Sequence, residues 1–185
     1  MPGRLGSILG HSFGGKVALA HARDREEVRQ VWVVDSTPAA REPEGGAWNM
    51  LAILRRVPGR YAEREEAVAA LVAEGVERPI ALWMTTNLDW TGTEYRWKLD
   101  FEDMEALLRS FFALDLWPVV DEPPERLEVH IVKATRSSIL DSAAAERVRE
   151  AGRRTGRVYL HEVEGDHWLN ADNPDAVVAL LAEHL

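Results

Sequence analysis

The chain has 185 residues, 46% of them hydrophobic, which is enough to bury one substantial core and suits one domain carrying an inserted helical lobe. Its formal net charge of −9 argues against nucleic acid and anionic membrane surfaces as partners and favours small neutral or hydrophobic ligands. It has no cysteine, which excludes disulfides, thiolate catalysis and cysteine-ligated metals; no window is apolar for long enough to span a bilayer and Met1 to Gly6 holds no secretory apolar stretch, so a cytoplasmic location is expected.

The first predicted element is a short apolar run, Ser7 to Leu9, which enters Gly10, His11, Ser12, Phe13 and Gly14. It leaves through Gly15 and Lys16 into the Ala-rich segment Val17 to Ala20. Strand, sharp turn and helix around G-x-S-x-G make a nucleophile elbow. Ser12 belongs at the apex, with strained backbone angles that push its hydroxyl clear of both elements, and Gly10 and Gly14 are expected to omit side chains that would collide there. Gly15 adds room for the helix to pass the strand. The new helix also directs its first amide hydrogens toward the apex, where they face a developing negative charge. A plain strand-to-helix turn is the competing explanation, and the flanking pattern favours the elbow.

The helix is predicted over Gly14 to His21, with His21 structural and Arg23 to Glu27 in solvent. Val31 to Asp35 is apolar and β-branched and ends in an acid, followed by the turn residues Ser36, Thr37 and Pro38. In a parallel sheet the ligand crevice lies beyond the carboxyl ends of the strands, so Asp35 arrives on the same edge as Ser12.

Glu42 to Gly46 is a polar linker, after which the apolar period becomes helical. Trp48 to Leu54, Ala62 to Ala73, Pro79 to Leu88 and Asp103 to Leu114 are four predicted helices, and together they make a helical cap over a cleft. The division is a core of residues 1–41 and 118–185 with a cap of residues 42–117. Trp83, Trp97 and Phe111 either fill the core of that cap or line a substrate pocket, and the first is the more general habit of large aromatics.

Leu127 to Ala134 returns to a strand with His130 in its middle. Ala143 to Ala151 reads as a helix, Arg157 to Val163 as the last strand with His161 inside it, and Asp175 to Leu185 as a closing helix. His130 and His161 are expected to be satisfied structural histidines. A serine hydroxyl needs a base to remove its proton as it attacks a carbonyl. His167 follows the final strand on a polar turn before Pro174, and is the candidate base. An acid must orient its imidazole, and Asp35 gives the chain order Ser, Asp, His. Asp141 is the alternative acid, although a helix N-cap role explains it without catalysis. Asp166 is a turn residue.

The run Gly10-His11-Ser12-Phe13-Gly14-Gly15-Lys16-Val17-Ala18 resembles the α/β-hydrolase superfamily, and is similar to its small YbfF-type esterases; Tyr95 to Asp100 resembles the same group. Gly165 to Leu169 with Pro174 resembles the histidine loop of α/β-hydrolases. The resemblance implies an α/β fold with a mostly parallel sheet and an inserted helical cap. In many members the acid lies a few residues past the strand Leu127 to Ala134, where this chain has Ser137 and Ser138. Those serines either support the triad through a hydrogen bond to His167 or are ordinary turn residues. The YbfF-type group places its acid after the strand that here ends at Asp35. Phe13 would offer one oxyanion-hole amide, and the second would come from a loop after an earlier strand.

In the family several strands and helices precede the elbow, whereas about ten residues do here, so the chain is expected to be the second half of such a fold. The elbow strand is then an exposed edge, which invites self-association or a partner chain that supplies the missing half. The implied function is a serine hydrolase of small hydrophobic esters or acyl thioesters, needing no metal or organic cofactor. The alternative is a truncated, weak or inactive fragment acting through a partner chain. Ser12 at the apex, where a haloalkane dehalogenase carries an acid, leaves lipase, esterase, thioesterase, lactonase and C–C hydrolase open.

Overall fold

A computed structural model describes residues 6–184; Met1 to Leu5, where no secretory apolar stretch is expected, and Leu185, the expected last residue of the closing helix, lie outside the described residues. The chain divides into two compact units, residues 1–40 with 114–185, and residues 41–113. The first unit opens with β1 (Ser7–His11), α1 (Phe13–Asp24) and β2 (Gln30–Val34). The second holds α2 (Gly46–Leu54), β3 (Arg60–Tyr61), α3 (Arg64–Ala73), α4 (Arg78–Met84), a 3-10 turn (Thr85–Asn87), β4 (Leu88–Trp90), β5 (Tyr95–Trp97) and α5 (Phe101–Ala113). The first unit then resumes with α6 (Trp117–Asp121), β6 (Glu128–Ala134), α7 (Ser142–Thr155), β7 (Val158–Val163), α8 (Leu169–Asp172) and α9 (Pro174–His184).

In the first unit the four strands pair in the order β1-β2-β6-β7, all parallel. Successive strand side chains point to opposite faces. Val31 and Val33 of β2 join Val129 and Ile131 of β6 in one core layer, against Ala18, Leu19 and Ala22 of α1, Val119 and Val120 of α6 and Val148 of α7. Their neighbours Trp32, Val34, Val132 and Ala134 form the other layer, against Leu169 and the α9 residues Val177, Leu180 and Leu181. Burial on both faces explains why β2 is an unbroken apolar run rather than an alternating one. β1 stands at one end of this order, with Leu9 47% exposed.

Helix α1 extends past the predicted end at His21 because Ala22 is fully buried against the sheet. Helix α7 is fixed at both ends: the Asp141 side chain accepts from Ala144 N, and Gly156 takes the left-handed conformation, φ 66°, that terminates it. The short helices α6 and α8 were not expected, since four or five residues carry no periodic signal.

The second unit is not wholly helical. Its strands form an antiparallel sheet in the order β3-β5-β4, and β4 and β5 are joined through Gly92 at φ 102°. Strands of two or three residues are too short to show a period of two; of the three only the segment of β5 is singled out, by resemblance, and the predicted helix Pro79 to Leu88 stops at Met84, with Leu88 opening β4. Leu54, Val68, Leu71, Ala81 and Met84 make one cluster in this unit, with Trp97 packed against it. Phe111 packs on a second cluster around Leu108 and Phe112. Trp83, expected with them in that core, is instead 60% exposed. No helix among the described residues is long and apolar enough to cross a membrane.

Candidate active site

β1 ends at His11 and α1 begins at Phe13, so Ser12 alone makes the turn, at φ 54° and ψ −119°. A non-glycine residue held there costs about 1–3 kcal/mol and needs its surroundings to hold it. Ser12 N donates to Val34 O at 2.9 Å, and its carbonyl accepts from Gly15 N at 3.0 Å. A Cβ on Gly10 would lie 2.0 Å from Gly14 O, and one on Gly15 would lie 2.8 Å from Ser36 Cβ. Gly14 differs from expectation: a Cβ there would meet nothing within 4 Å. It is the backbone of Gly14 that crowds Gly10, so the steric demand falls on residues 10 and 15.

Asp35 directly follows β2, at φ 42°. Its N donates to Val132 O at 2.7 Å, and the residue is fully buried. Both carboxylate oxygens are engaged: Oδ1 accepts from Ala134 N at 3.1 Å, and Oδ2 lies 2.7 Å from His167 Nδ1. A carboxylate accepts, so His167 Nδ1 carries the hydrogen and Nε2 keeps its lone pair. The His167 side chain is 28% exposed. Its loop between β7 and α8 is pinned by Arg136 N donating to Gly165 O at 3.0 Å, Asp166 N to Asp172 Oδ2 at 2.9 Å and Asn173 Nδ2 to Glu164 O at 2.9 Å.

The other candidates stand elsewhere. Asp141 is an exposed N-cap, its Oδ1 accepting from Ala144 N at 2.8 Å. Ser137 is a turn serine, its Oγ accepting from Ile139 N at 3.2 Å and its carbonyl from Lys133 Nζ at 3.2 Å; Ser138 is exposed. His167 Nδ1 goes to Asp35 rather than to either serine. Asp166 is exposed and faces Arg136 at 3.4 Å. Phe13 is the first residue of α1, where backbone N–H groups point out of the helix end.

Buried His130 stacks with half-buried His161. His130 Nδ1 and His161 Nε2 are 3.0 Å apart, and Trp32 stacks on His130 at 4.0 Å. The expectation of full satisfaction holds for one nitrogen of His130: its buried Nε2 has no hydrogen-bond partner, with Glu128 Oε2 at 3.7 Å. Two residues near the site carried no separate signal. Lys16, buried in α1, donates from Nζ to Ala39 O at 2.8 Å and so ties the helix to the segment after Asp35. His11 reaches the His167 loop; its ring at the end of a strand has a direction that only the tertiary fold fixes. Among the described residues no group of three or more His, Cys, Asp or Glu side chains is placed to hold a metal ion.

Comparison with known proteins follows the same lines. The model of the "Alpha/beta hydrolase family" matches residues 2–180. The chain is 26% identical over 187 residues to the sn-1-specific diacylglycerol lipase ABHD11 of Mus musculus, covering 95% of this chain and 58% of that protein. It thus spans little more than half the length of that relative. Among solved structures, a marine microorganism esterase superposes with a TM-score of 0.77 at 19% identity, covering 97% of this chain and 69% of the other. An E-2-(acetamidomethylene)succinate hydrolase superposes with a TM-score of 0.66 at 19% identity, covering 96% and 65%. At such identities the two superpositions speak for the fold.

Proposed function

The chain belongs to the alpha/beta hydrolase family, and from that premise we propose that it is a serine hydrolase cleaving carboxylic esters or acyl thioesters through an acyl-enzyme on Ser12. One observation carries the proposal: a fully buried carboxylate, Asp35, holds His167 Nδ1 at 2.7 Å, on the strand edge where Ser12 makes its strained turn. That bond keeps the imidazole in the tautomer whose Nε2 accepts a proton. In the proposed reaction Ser12 Oγ attacks the substrate carbonyl carbon while its hydrogen passes to His167 Nε2. The imidazolium is stabilised by Asp35, and the oxyanion by the Phe13 amide at the head of α1. Collapse breaks the bond to the alcohol or thiol, which leaves with the proton from Nε2. Water then attacks the acyl group, giving its proton to His167, and the acid departs as Ser12 is restored. Similarity to a diacylglycerol lipase and to an esterase supports an ester as the bond cleaved.

A fluorophosphonate probe tests this. Labelling of the wild type is expected, with none in Ser12→Ala and a strong reduction in His167→Ala. A correctly folded wild type that takes up no probe would overturn the proposal.

A further inference from the structure

Ser12 and His167 come from opposite ends of the chain, and proton transfer between them depends on a distance that neither residue sets by itself. The Asp35 bond fixes the rotation of the imidazole. It does not fix where the His167 backbone sits relative to the end of β1. The loop bonds of Arg136, Asp172 and Asn173 fix residues 164–166, short of the residue that bears the ring.

His11 supplies the missing link. Its Nε2 lies 2.6 Å from the backbone oxygen of His167. A carbonyl oxygen accepts, so Nε2 carries the hydrogen and donates it. The His11 ring also lies 4.7 Å from the His167 imidazole, at 37°, and 5.3 Å from the Trp168 indole, at 49°. One side chain thus holds the loop by a hydrogen bond to its backbone and by contact with two of its rings. His11 is covalently joined to Ser12, so the contact ties the strand end that presents the hydroxyl to the residue that presents the base.

We infer that His11 is a positioning residue for hydrolysis: its Nε2 hydrogen bond to the His167 carbonyl sets the separation of Ser12 from the imidazole. This rests on the serine-hydrolase proposal. A displacement of about 1 Å at a reacting pair costs about a hundredfold in rate, so a loosened loop is felt in the chemistry more than in binding.

The test compares wild type, His11→Phe, which keeps a ring without the donor, and His11→Gln, which keeps an N–H donor on a chain of similar reach. For each, kcat and KM are measured on a p-nitrophenyl ester together with the rate of fluorophosphonate labelling and the thermal midpoint. In His11→Phe, kcat and the labelling rate are expected to fall by about tenfold or more with KM within about twofold and the midpoint retained; His11→Gln is expected to recover most of the loss. Equal rates in wild type and His11→Phe, or equal impairment of Phe and Gln, would overturn the inference while leaving Ser12-dependent labelling intact. If the wild type itself takes up no probe, the hydrolase proposal fails, and His11 is then judged by the His167 Nδ1 proton resonance. That signal should exchange faster with water in His11→Phe than in wild type or His11→Gln, and an unchanged signal would overturn the positioning role.

Discussion

Asp35 shows how one side chain decides the state of another. Its two oxygens have different partners, and the partners are not interchangeable: Ala134 N–H can only donate to Oδ1, while His167 can adjust at Oδ2. In Asp35→Asn the amide oxygen is claimed by Ala134 N–H. The NH2 group then faces His167 Nδ1, which must accept, and the ring proton moves to Nε2. The proposed base is lost without any change in shape. The expected outcome is a fall in kcat of about 10⁴-fold, the size of effect known when an orienting aspartate is replaced by asparagine. Asp141→Asn is the matched control. Asparagine caps a helix as well as aspartate does, so both kcat and the unfolding free energy should stay within about a factor of two and about 0.5 kcal/mol of wild type. Steady-state kinetics on the two variants decide between the acids, and a larger loss from Asp141→Asn would reverse the assignment.

At the level of elements, the elbow is built by two backbones in contact. A methyl group on Gly10 would meet Gly14 O at 2.0 Å, Gly14 C at 2.3 Å and Gly15 N at 2.6 Å, atoms that have no rotamer to adopt. Gly10→Ala therefore has to push α1 away from β1, and is expected to cost about 3 kcal/mol or more in urea unfolding. Gly14→Ala enters open space in the first turn of a helix, where alanine is the better former, and should be neutral or stabilising by up to about 1 kcal/mol. The same contrast explains what could be read from the sequence. The apolar run, the glycines and the Ala-rich continuation each follow from local geometry, so the elbow and its serine were legible. Asp35 was legible because a strand that is buried on both faces announces its end by its first polar residue. Strands β3 to β5 and helices α6 and α8 were not, because two to five residues cannot display a period. Nor was the exposure of Trp83 on α4, or the part played by His11, since both depend on which way a side chain faces in the finished fold.

At the scale of the whole molecule, a titrating cluster sits where β2, β6, β7 and α9 meet. Trp32, His130, Tyr159 and His161 stack there, and the His184 ring meets His130 and His161 edge-on at 5.5 and 5.0 Å. Burial, and then the neighbouring His161, push the His130 pKa down from 6.5 to about 4; Glu128 opposes this. Burial and then His184 lower His161 as well, against Glu183. The unfolded chain therefore binds protons between about pH 6.5 and 4 that the folded chain refuses, so folding stability falls as the pH drops through that window and is unaffected by these groups above it. For His130 a change of this size is on the order of 3 kcal/mol across the window. His130→Phe keeps a flat ring between Trp32 and Tyr159 and removes the titrating group. Urea unfolding of wild type and variant at pH 7.5, 6 and 4.5 should show the wild type losing more stability than the variant as the pH falls. Parallel losses in the two proteins would place the acid sensitivity outside this cluster.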